Sequence, residues 1–201
     1  CTLGCKVNAY ESECLAALFE KEGLTKVDFT ERADIYLINT CSVTNTGDKK
    51  SRQAIHKARR QNPDAFIAVC GCYAQAKAEE VSLSGADLVA GTSDREKIVS
   101  RAMEGIGGSL VEDISKKREF EELSEKPVTE RCRAYIKIQD GCNNFCSYCI
   151  IPYTRGRVRS RKQDSVINEA IRLKNEGFSE IVLAGIEVYS YGSDLGDTSL
   201  I

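Results

Sequence analysis

Three cysteines in one short stretch are the residues whose type and spacing point most directly to chemistry. Cys142, Cys146 and Cys149 stand at C-x3-C-x2-C spacing, so their thiols can converge from a single loop. Iron–sulfur clusters are held by cysteine thiolates. Three local cysteines with no obvious fourth would leave one iron of a four-iron cluster open. The spacing therefore predicts an iron–sulfur cluster with one open iron, to which a substrate or cofactor can bind.

A zinc site is the alternative interpretation of the same loop. Structural zinc takes four ligands, usually paired cysteines or cysteines with histidines. The single histidine, His56, is far away in the chain, but Cys132 precedes the loop and could complete a four-cysteine site. The spacing alone is therefore compatible with both an iron–sulfur cluster and a zinc site.

A second group of cysteines is spread along the first part of the chain. Cys5 precedes a predicted helix, Cys41 follows the apolar stretch 35–38, and Cys72 follows the apolar stretch 66–70. In a parallel sheet these points share the carboxyl edge of the strands, where ligands bind. The three thiols are therefore expected to meet and to hold a second cluster. Packing as a small apolar side chain is the ordinary role of a free cysteine. Apart from the zinc alternative for Cys132, the sequence assigns no role beyond packing to four others: Cys1, Cys14, Cys70 and Cys132.

Alternating strand-like and helix-like stretches must position these cysteines. They predict a parallel sheet with helices on both faces over residues 1–104, which is a three-layer α/β domain. The charged stretch 105–131 is predicted to be a linker. Residues 132–201 give a strand, a helix and a second strand, as expected for the beginning of a truncated parallel α/β barrel. The predicted helices are 11–22, 46–61, 74–81, 93–103 and 163–176, and the predicted strands are 35–38, 66–70, 87–90, 133–139 and 180–184.

Composition limits the classes of protein that need to be considered. The chain has 201 residues, ten cysteines and a formal net charge of −2, so any contact with nucleic acid must come from local basic patches. Apolar runs fall short of the roughly 20 residues that span a bilayer, and nothing resembles a signal peptide. These features predict reduced thiols in the cytoplasm and no membrane partner. Because the chain begins at Cys1 without methionine and stops at Ile201, we interpret it as a fragment. A barrel that stops after its second strand lacks most of its βα units, so we expect the fragment to be inactive alone.

Four motifs carry a resemblance to a known family. They are Leu-Gly-Cys-Lys-Val-Asn at 3–8, Asn-Thr-Cys-Ser-Val-Thr at 39–44, Gly-Cys-Tyr-Ala-Gln at 71–75, and the segment 141–161 around the clustered cysteines. With them the chain resembles the methylthiotransferases among the radical S-adenosylmethionine (radical-SAM) enzymes. The resemblance implies two [4Fe–4S] clusters, a radical-generating one at Cys142, Cys146 and Cys149 and a second at Cys5, Cys41 and Cys72.

The resemblance also implies a reaction. An electron from the first cluster would cleave S-adenosylmethionine to a 5′-deoxyadenosyl radical, and the second cluster would carry or donate sulfur. Lys6-Val7-Asn8 and the segment 150–161 are most similar to the branch that methylthiolates carbon 2 of N6-threonylcarbamoyladenosine at position 37 of tRNA. Tyr148 and Glu187 would contact S-adenosylmethionine, and no catalytic side chain is assigned. The implied partners are tRNA, an electron donor such as a flavodoxin or ferredoxin, and a sulfur source.

The sequence is also compatible with other functions. A methylthiotransferase acting on isopentenyl-adenosine in tRNA, or on an aspartate of a ribosomal protein, would share most of the motifs. A non-catalytic iron–sulfur or zinc protein would share the cysteines alone. Substrate analysis separates the first two from the favoured reaction, and metal analysis separates the third.

A row of alternating arginines follows the cysteine loop. If the segment is extended, their side chains share one face, where they would meet phosphate groups or a carboxylate. We therefore expect them to contact RNA. The arginines are Arg155, Arg157, Arg159 and Arg161.

Overall fold

The computed structural model describes residues 1–123 and 133–196. The α-helices of the first part are α1 (Lys6–Lys21), α2 (Asn45–Gln61), α3 (Cys72–Ala76), α4 (Ala78–Leu83) and α5 (Glu96–Met103). Its strands are β1 (Ile35–Thr40), β2 (Phe66–Gly71), β3 (Leu88–Ala90) and β4 (Gly108–Leu110). The second part contains β5 (Arg133–Lys137), β6 (Gln139–Asp140), α6 (Ile151–Arg155), β7 (Arg159–Ser160), α7 (Gln163–Asn175) and β8 (Glu180–Ala184).

Four parallel strands form the sheet of the first part in the order β1-β2-β3-β4. The register places Ile35 opposite Phe66 and Thr40 opposite Gly71, so β1 and β2 end together. At the outer side of β1, Thr2 forms a parallel bridge with Asn39. The carboxyl ends of the strands therefore lie at one edge, as the sequence predicted.

Helices cover both faces of this sheet. On one face Ile55 of α2 and Val81 of α4 pack with Ile38 and Ile67. On the other, Leu15 of α1 and Ile98 of α5 pack with Leu88 and other strand residues. Burying these side chains stabilises the fold by about 1.5–3 kcal/mol each relative to exposure. The predicted three-layer arrangement is confirmed.

The stretch predicted to be a linker differs from the expectation at its beginning. Gly108–Leu110 is the fourth strand, paired with β3, and Ile114–Lys116 forms a 3-10 turn whose Ile114 is buried. Charge and glycine content concealed these elements because a three-residue edge strand has no periodicity to detect. The remainder of the expected linker from residue 124 on, and Cys132, lie outside the described residues.

The second part begins the parallel arrangement that the sequence predicted. β5 pairs with β8 in parallel, and α7 connects them with Leu173 packed against Ile136. The predicted strand 133–139 is interrupted at Ile138, after which β6 pairs antiparallel with β7. This short hairpin frames the cysteine loop. In the described part of the chain, no helix is long and apolar enough to cross a membrane.

Candidate iron–sulfur sites

The loop of Cys142, Cys146 and Cys149 is held at both ends by the β6–β7 hairpin and α6. The backbone N–H of Cys142 donates to the carbonyl of Gly156 at 3.0 Å, which closes the loop. Gly141 has φ +75°, and a Cβ there would lie 2.0 Å from the Arg157 carbonyl oxygen, so only glycine fits. The N–H of Cys149 donates to the Cys146 carbonyl at 2.9 Å, which places these two cysteines on one turn.

Glu187 lies directly beside this loop. Its carboxylate accepts hydrogen bonds from the Cys142 thiol at 3.2 Å and from the Asn144 amide at 2.9 Å. Hydrogen bonds from Ser190, Asn144 and Cys142 lower the pKa of Glu187. Burial raises the pKa of the Cys142 thiol, and the nearby Glu187 and Cys149 add to that rise. The Tyr148 side chain is 91% exposed, so its ring is available to a ligand.

The other three cysteines come together at the carboxyl edge of the sheet. Cys5 caps the beginning of α1, Cys41 directly follows β1, and Cys72 begins α3 directly after β2. Burial raises the pKa of the Cys41 thiol, and the neighbouring thiols of Cys72 and Cys5 raise it further. A Cβ at Gly4 would lie 2.8 Å from Cys41 Cβ, so this glycine lets the two loops approach. Cys14 and Cys70 are instead buried in α1 and β2.

Two buried asparagines fix the loops that carry these cysteines. The Asn8 side-chain amide donates to the carbonyls of Leu3 and Thr40, each at 2.9 Å, and to Asn39 Oδ1 at 3.2 Å. Asn39 Nδ2 donates back to the Asn8 carbonyl at 3.1 Å. Asn8 and Asn39 belong to the motifs around Cys5 and Cys41, so each motif includes a residue that holds its cysteine loop in place.

A network of buried charges joins the two parts of the molecule. Glu11 of α1 accepts from Arg155 at 2.6 Å and Lys137 at 2.6 Å, and pairs with Arg95 at 2.8 Å. Asp140 pairs with Lys137 at 2.6 Å, Arg155 at 3.3 Å and Arg159 at 3.5 Å. Glu121 also pairs with Arg95. Among the residues that the structure describes, four cations thus face three carboxylates, which gives this network one net positive charge.

These ion pairs keep both buried carboxylates ionised. Burial alone would raise the pKa of Glu11, but Arg155, Arg95 and Lys137 together lower it to about 2. Burial is likewise outweighed at Asp140, where Lys137, Arg155 and Arg159 hold the pKa far below its ordinary value. Removing one partner of such a network leaves an uncompensated buried charge, which costs about 3–5 kcal/mol.

The prediction that four arginines share one exposed face is wrong for three of them. Arg155, Arg159 and Arg161 are almost fully buried, the last in an ion pair with Glu169. The segment is not one extended strand, because α6 includes Arg155 and β7 begins only at Arg159. Arg157 alone among the four is exposed, and its guanidinium lies 5.6 Å from the Phe145 ring centre.

Sequence reasoning missed the charged network, although one signal was present. Glu11 occupies the same helical stripe as the buried Val7, Cys14, Leu15 and Leu18. A carboxylate within such a stripe indicates a buried ion pair. Its partners were not identifiable, since Arg155 is 144 residues away along the chain.

The donor sets fit iron–sulfur clusters in number and type. A four-iron cluster binds each thiolate through a different iron, so its cysteines need not surround one ion. Among residues 1–123 and 133–196, no three Cys, His, Asp or Glu side chains converge on a single-ion position. Each site offers three cysteines, and the second has excess positive charge beside it, which favours an anionic thiolate-ligated group.

Two cavities differ in their relation to these sites. One of about 330 Å³ lies beside the cysteine loop and is lined by residues of both parts, including Gln75, Phe145, Tyr153 and Arg157. The larger, of about 900 Å³, lies between α1, the following loop and β1, and none of the six predicted cluster cysteines lines either cavity. The smaller cavity adjoins the C-x3-C-x2-C loop through Phe145.

Family comparisons agree with this division of the chain. Residues 1–91 match the model of "Uncharacterized protein family UPF0004", and residues 136–196 match that of the "Radical SAM superfamily". The chain is 51% identical to the threonylcarbamoyladenosine tRNA methylthiotransferase MtaB of Bacillus subtilis (strain 168), over 98% of this chain and 45% of the relative. The chain belongs to the radical-SAM methylthiotransferase family.

Other relatives include both tRNA branches. The chain is 38% identical to the MtaB protein of Aquifex aeolicus (strain VF5), over 97% of this chain and 49% of the relative. It is 39% identical to the tRNA-2-methylthio-N(6)-dimethylallyladenosine synthase of Pelotomaculum thermopropionicum, over 96% of this chain and 45% of the relative. The chain thus spans about half the length of these curated relatives.

Solved structures show a similar fold at low sequence identity. The radical S-adenosylmethionine methyltransferase TsrM from Kitasatospora setae matches with a TM-score of 0.59 and 18% identity, covering 89% of this chain and 45% of that chain. The same protein, solved with cobalamin and a [4Fe–4S] cluster bound, matches with a TM-score of 0.58 and 16% identity, over 89% of this chain and 46% of that one. Family membership supports S-adenosylmethionine and iron–sulfur cofactors for this chain.

Proposed function

We propose that this chain is part of an enzyme that adds a methylthio group to carbon 2 of N6-threonylcarbamoyladenosine at position 37 of tRNA. The observation that carries the proposal is the 51% identity to the Bacillus subtilis protein of that name, which extends over 98% of this chain. The reaction takes place in the cytoplasm with tRNA as substrate.

The two cysteine sites have separate tasks in this proposal. Cys142, Cys146 and Cys149 hold the [4Fe–4S] cluster that supplies, when bound, the electron for reductive cleavage of S-adenosylmethionine. Tyr148 would present an exposed ring to that cofactor, and the Glu187 carboxylate, oriented by the Asn144 amide, would accept a hydrogen bond from its amino group. Cys5, Cys41 and Cys72 hold the second cluster and the sulfur. An unactivated aromatic C–H bond needs a radical, whereas C–S bond formation needs a nearby sulfur, so the chemistry requires both sites.

The surface beside the cysteine loop supports an RNA substrate. Phe145 and Tyr153 form an edge-to-face pair with ring centres 5.8 Å apart, and both rings are exposed. Arg157 lies over the Phe145 ring at the same surface. Aromatic rings next to a guanidinium are the groups on which unpaired RNA bases stack. This patch, Phe145–Tyr153–Arg157, therefore takes the place of the four-arginine stripe as the proposed RNA contact.

Nucleoside mass spectrometry of total tRNA tests the proposal. Strains with and without the full-length gene are compared, and we expect 2-methylthio-N6-threonylcarbamoyladenosine to disappear while its unthiolated precursor accumulates. A matched strain carrying the Cys142→Ala, Cys146→Ala, Cys149→Ala protein should give the same loss. Unchanged tRNA nucleosides would contradict the proposal and direct the search to ribosomal protein.

The second candidate is methylthiolation of isopentenyl-adenosine in tRNA. It is favoured by the 39% identity to the Pelotomaculum thermopropionicum dimethylallyladenosine synthase. In that case the isopentenyl derivative is the nucleoside lost in the same experiment, and the threonylcarbamoyl derivative is unchanged. The non-catalytic alternative predicts bound zinc without acid-labile sulfide.

A further inference from the structure

Arg155 belongs to the second part of the molecule but contacts the cysteine site of the first. It lies six residues after Cys149 at the end of α6, and its side chain is fully buried. Its Nε donates to the Cys72 sulfur at 3.3 Å. Its Nη2 donates to Asn8 Oδ1 at 2.6 Å, the same oxygen that the Cys5 thiol approaches at 3.5 Å. Arg155 thus contacts one cysteine of the second site directly and another through Asn8.

The remaining donors of this guanidinium are fixed by carboxylates. Nη1 donates to Glu11 Oε1 at 2.6 Å, and Nη2 donates to Glu11 Oε2 at 3.1 Å, which is a two-point contact. Nη1 also donates to Asp140 at 3.3 Å. Because the guanidinium is planar and its donors point in fixed directions, these contacts determine where Nε points. The N–H to Cys72 is therefore set by groups from both parts of the chain.

The charge of the network has a consequence for any cluster bound at Cys72. The described part of the network carries one net positive charge, and Arg155 is the cation of the network that contacts the Cys72 sulfur. Hydrogen bonds to cluster sulfurs and the net charge around a cluster set its reduction potential. Reduction adds one negative charge, so a cation that donates an N–H to the ligating sulfur stabilises the reduced state more than the oxidised state.

We propose that Arg155 is a positioning residue that orients Cys72 and raises the reduction potential of the cluster at Cys5, Cys41 and Cys72. The proposal rests on the function proposed above, because it takes that cluster as given. The redox step is the uptake of one electron from an external reductant such as dithionite. In that step no bond forms or breaks and no proton moves. The radical-SAM part thereby sets a property of the cluster in the other part.

An EPR-monitored redox titration with dithionite tests this assignment. The full-length protein carries Cys142→Ala, Cys146→Ala and Cys149→Ala, so only the second cluster contributes to the signal after anaerobic reconstitution. In that parent we expect Arg155→Gln to shift the midpoint potential to a more negative value at unchanged iron and sulfide content. Arg155→Lys should give a smaller shift in the same direction, because the ammonium keeps the charge but cannot reproduce the fixed N–H contact.

A matched variant separates this role from a purely structural one. Lys137→Gln removes a cation that pairs with Glu11 and Asp140 but makes no hydrogen bond to a cysteine. It should lower stability toward urea as Arg155→Lys does, with a smaller change in potential than Arg155→Gln. If Arg155→Gln loses the cluster, the midpoint potentials of Arg155→Lys and Lys137→Gln are compared instead. A more negative midpoint for Arg155→Lys would support the assignment, and a more negative midpoint for Lys137→Gln would refute it.

Two results would overturn the assignment and can be distinguished. Unchanged potentials in both Arg155 variants, at full iron and sulfide content, would refute the role of Arg155 and leave the proposed function intact. A parent protein that holds no iron or sulfide while Arg155 is present would refute the second cluster itself, and the role of Arg155 with it.

Discussion

Cys142, Cys146 and Cys149 stand on one loop of eight residues, whereas Cys5, Cys41 and Cys72 come from three loops spread over 68 residues. Each set has one exposed cysteine, Cys146 in the first and Cys5 in the second, but the first needs only a hairpin and a glycine to define its loop. The second lies against buried asparagines and a charged network. A site that must admit a cofactor can be local and open. A site assembled from distant loops depends on the whole fold.

Removing the cysteines should have the largest effect, since each set is expected to hold a separate cluster. The triple alanine variant of either set should lose half of the bound iron and acid-labile sulfide and keep the other half. Iron and sulfide analysis with EPR measures this. Cys14→Ala and Cys70→Ala serve as controls and should keep both clusters, because these two thiols are buried among core side chains. Loss of all iron from either triple variant would show that the sites are not independent.

Neutralising Glu11 should weaken the assembled site far more than the local one. Glu11→Gln leaves Arg95, Lys137 and Arg155 with too few buried anions, so we expect a loss of about 3–5 kcal/mol in the free energy of unfolding. Urea unfolding of the iron-free protein measures this loss. Glu20→Gln on the exposed side of the same helix is the matched control and should change stability by less than about 0.5 kcal/mol. Equal effects of the two substitutions would contradict the role of the network.

The same network should make the free energy of unfolding depend on pH in the acid range. The pKa of Glu11 is lowered from 4.5 to about 2 in the folded protein, so its ionisation stabilises the fold above pH 4.5. That stabilisation should decline as the pH falls from 4.5 to about 2, with Asp140 acting in the same direction. Urea unfolding of the iron-free protein across this range measures it. The Glu11→Gln variant should show a shallower decline, and a slope identical to that of the unmodified protein would exclude Glu11 as a cause.

Arg157→Gln should have the smallest effect and should act on RNA rather than on the fold. Loss of one cationic contact with the RNA phosphates should weaken tRNA binding modestly and reduce the slope of log affinity against log salt by about 1. Binding is measured with the full-length protein at several salt concentrations. Lys174→Gln, exposed on α7, is the control and should leave the slope unchanged. Arg159→Gln should instead lower stability, because Arg159 is buried against Asp140.

The same contrast explains what the sequence could predict. The C-x3-C-x2-C loop was identifiable because all of its information lies within eight residues. The second set was identifiable because parallel strands place their carboxyl ends together, an argument that needs topology but no side-chain contacts. The arginines were misassigned because their burial depends on Glu11, Asp140 and Glu169, and Glu11 is 144 residues from Arg155. The alternating pattern at 155–161 is equally compatible with a stripe facing solvent. The strand at 108–110 was missed because three residues are too few to show a period.

The long separation between Glu11 and Arg155 also orders events during synthesis. At about 5–20 residues per second, the ribosome needs roughly 7–30 seconds to add the 144 residues between them. During that interval the first sheet can form while its buried carboxylate has no arginine opposite it, and the Cys72 sulfur is not yet covered from the second part. The Cys72 sulfur therefore has no contact with Arg155 until the second part has been made. Completion of α6 then closes that side.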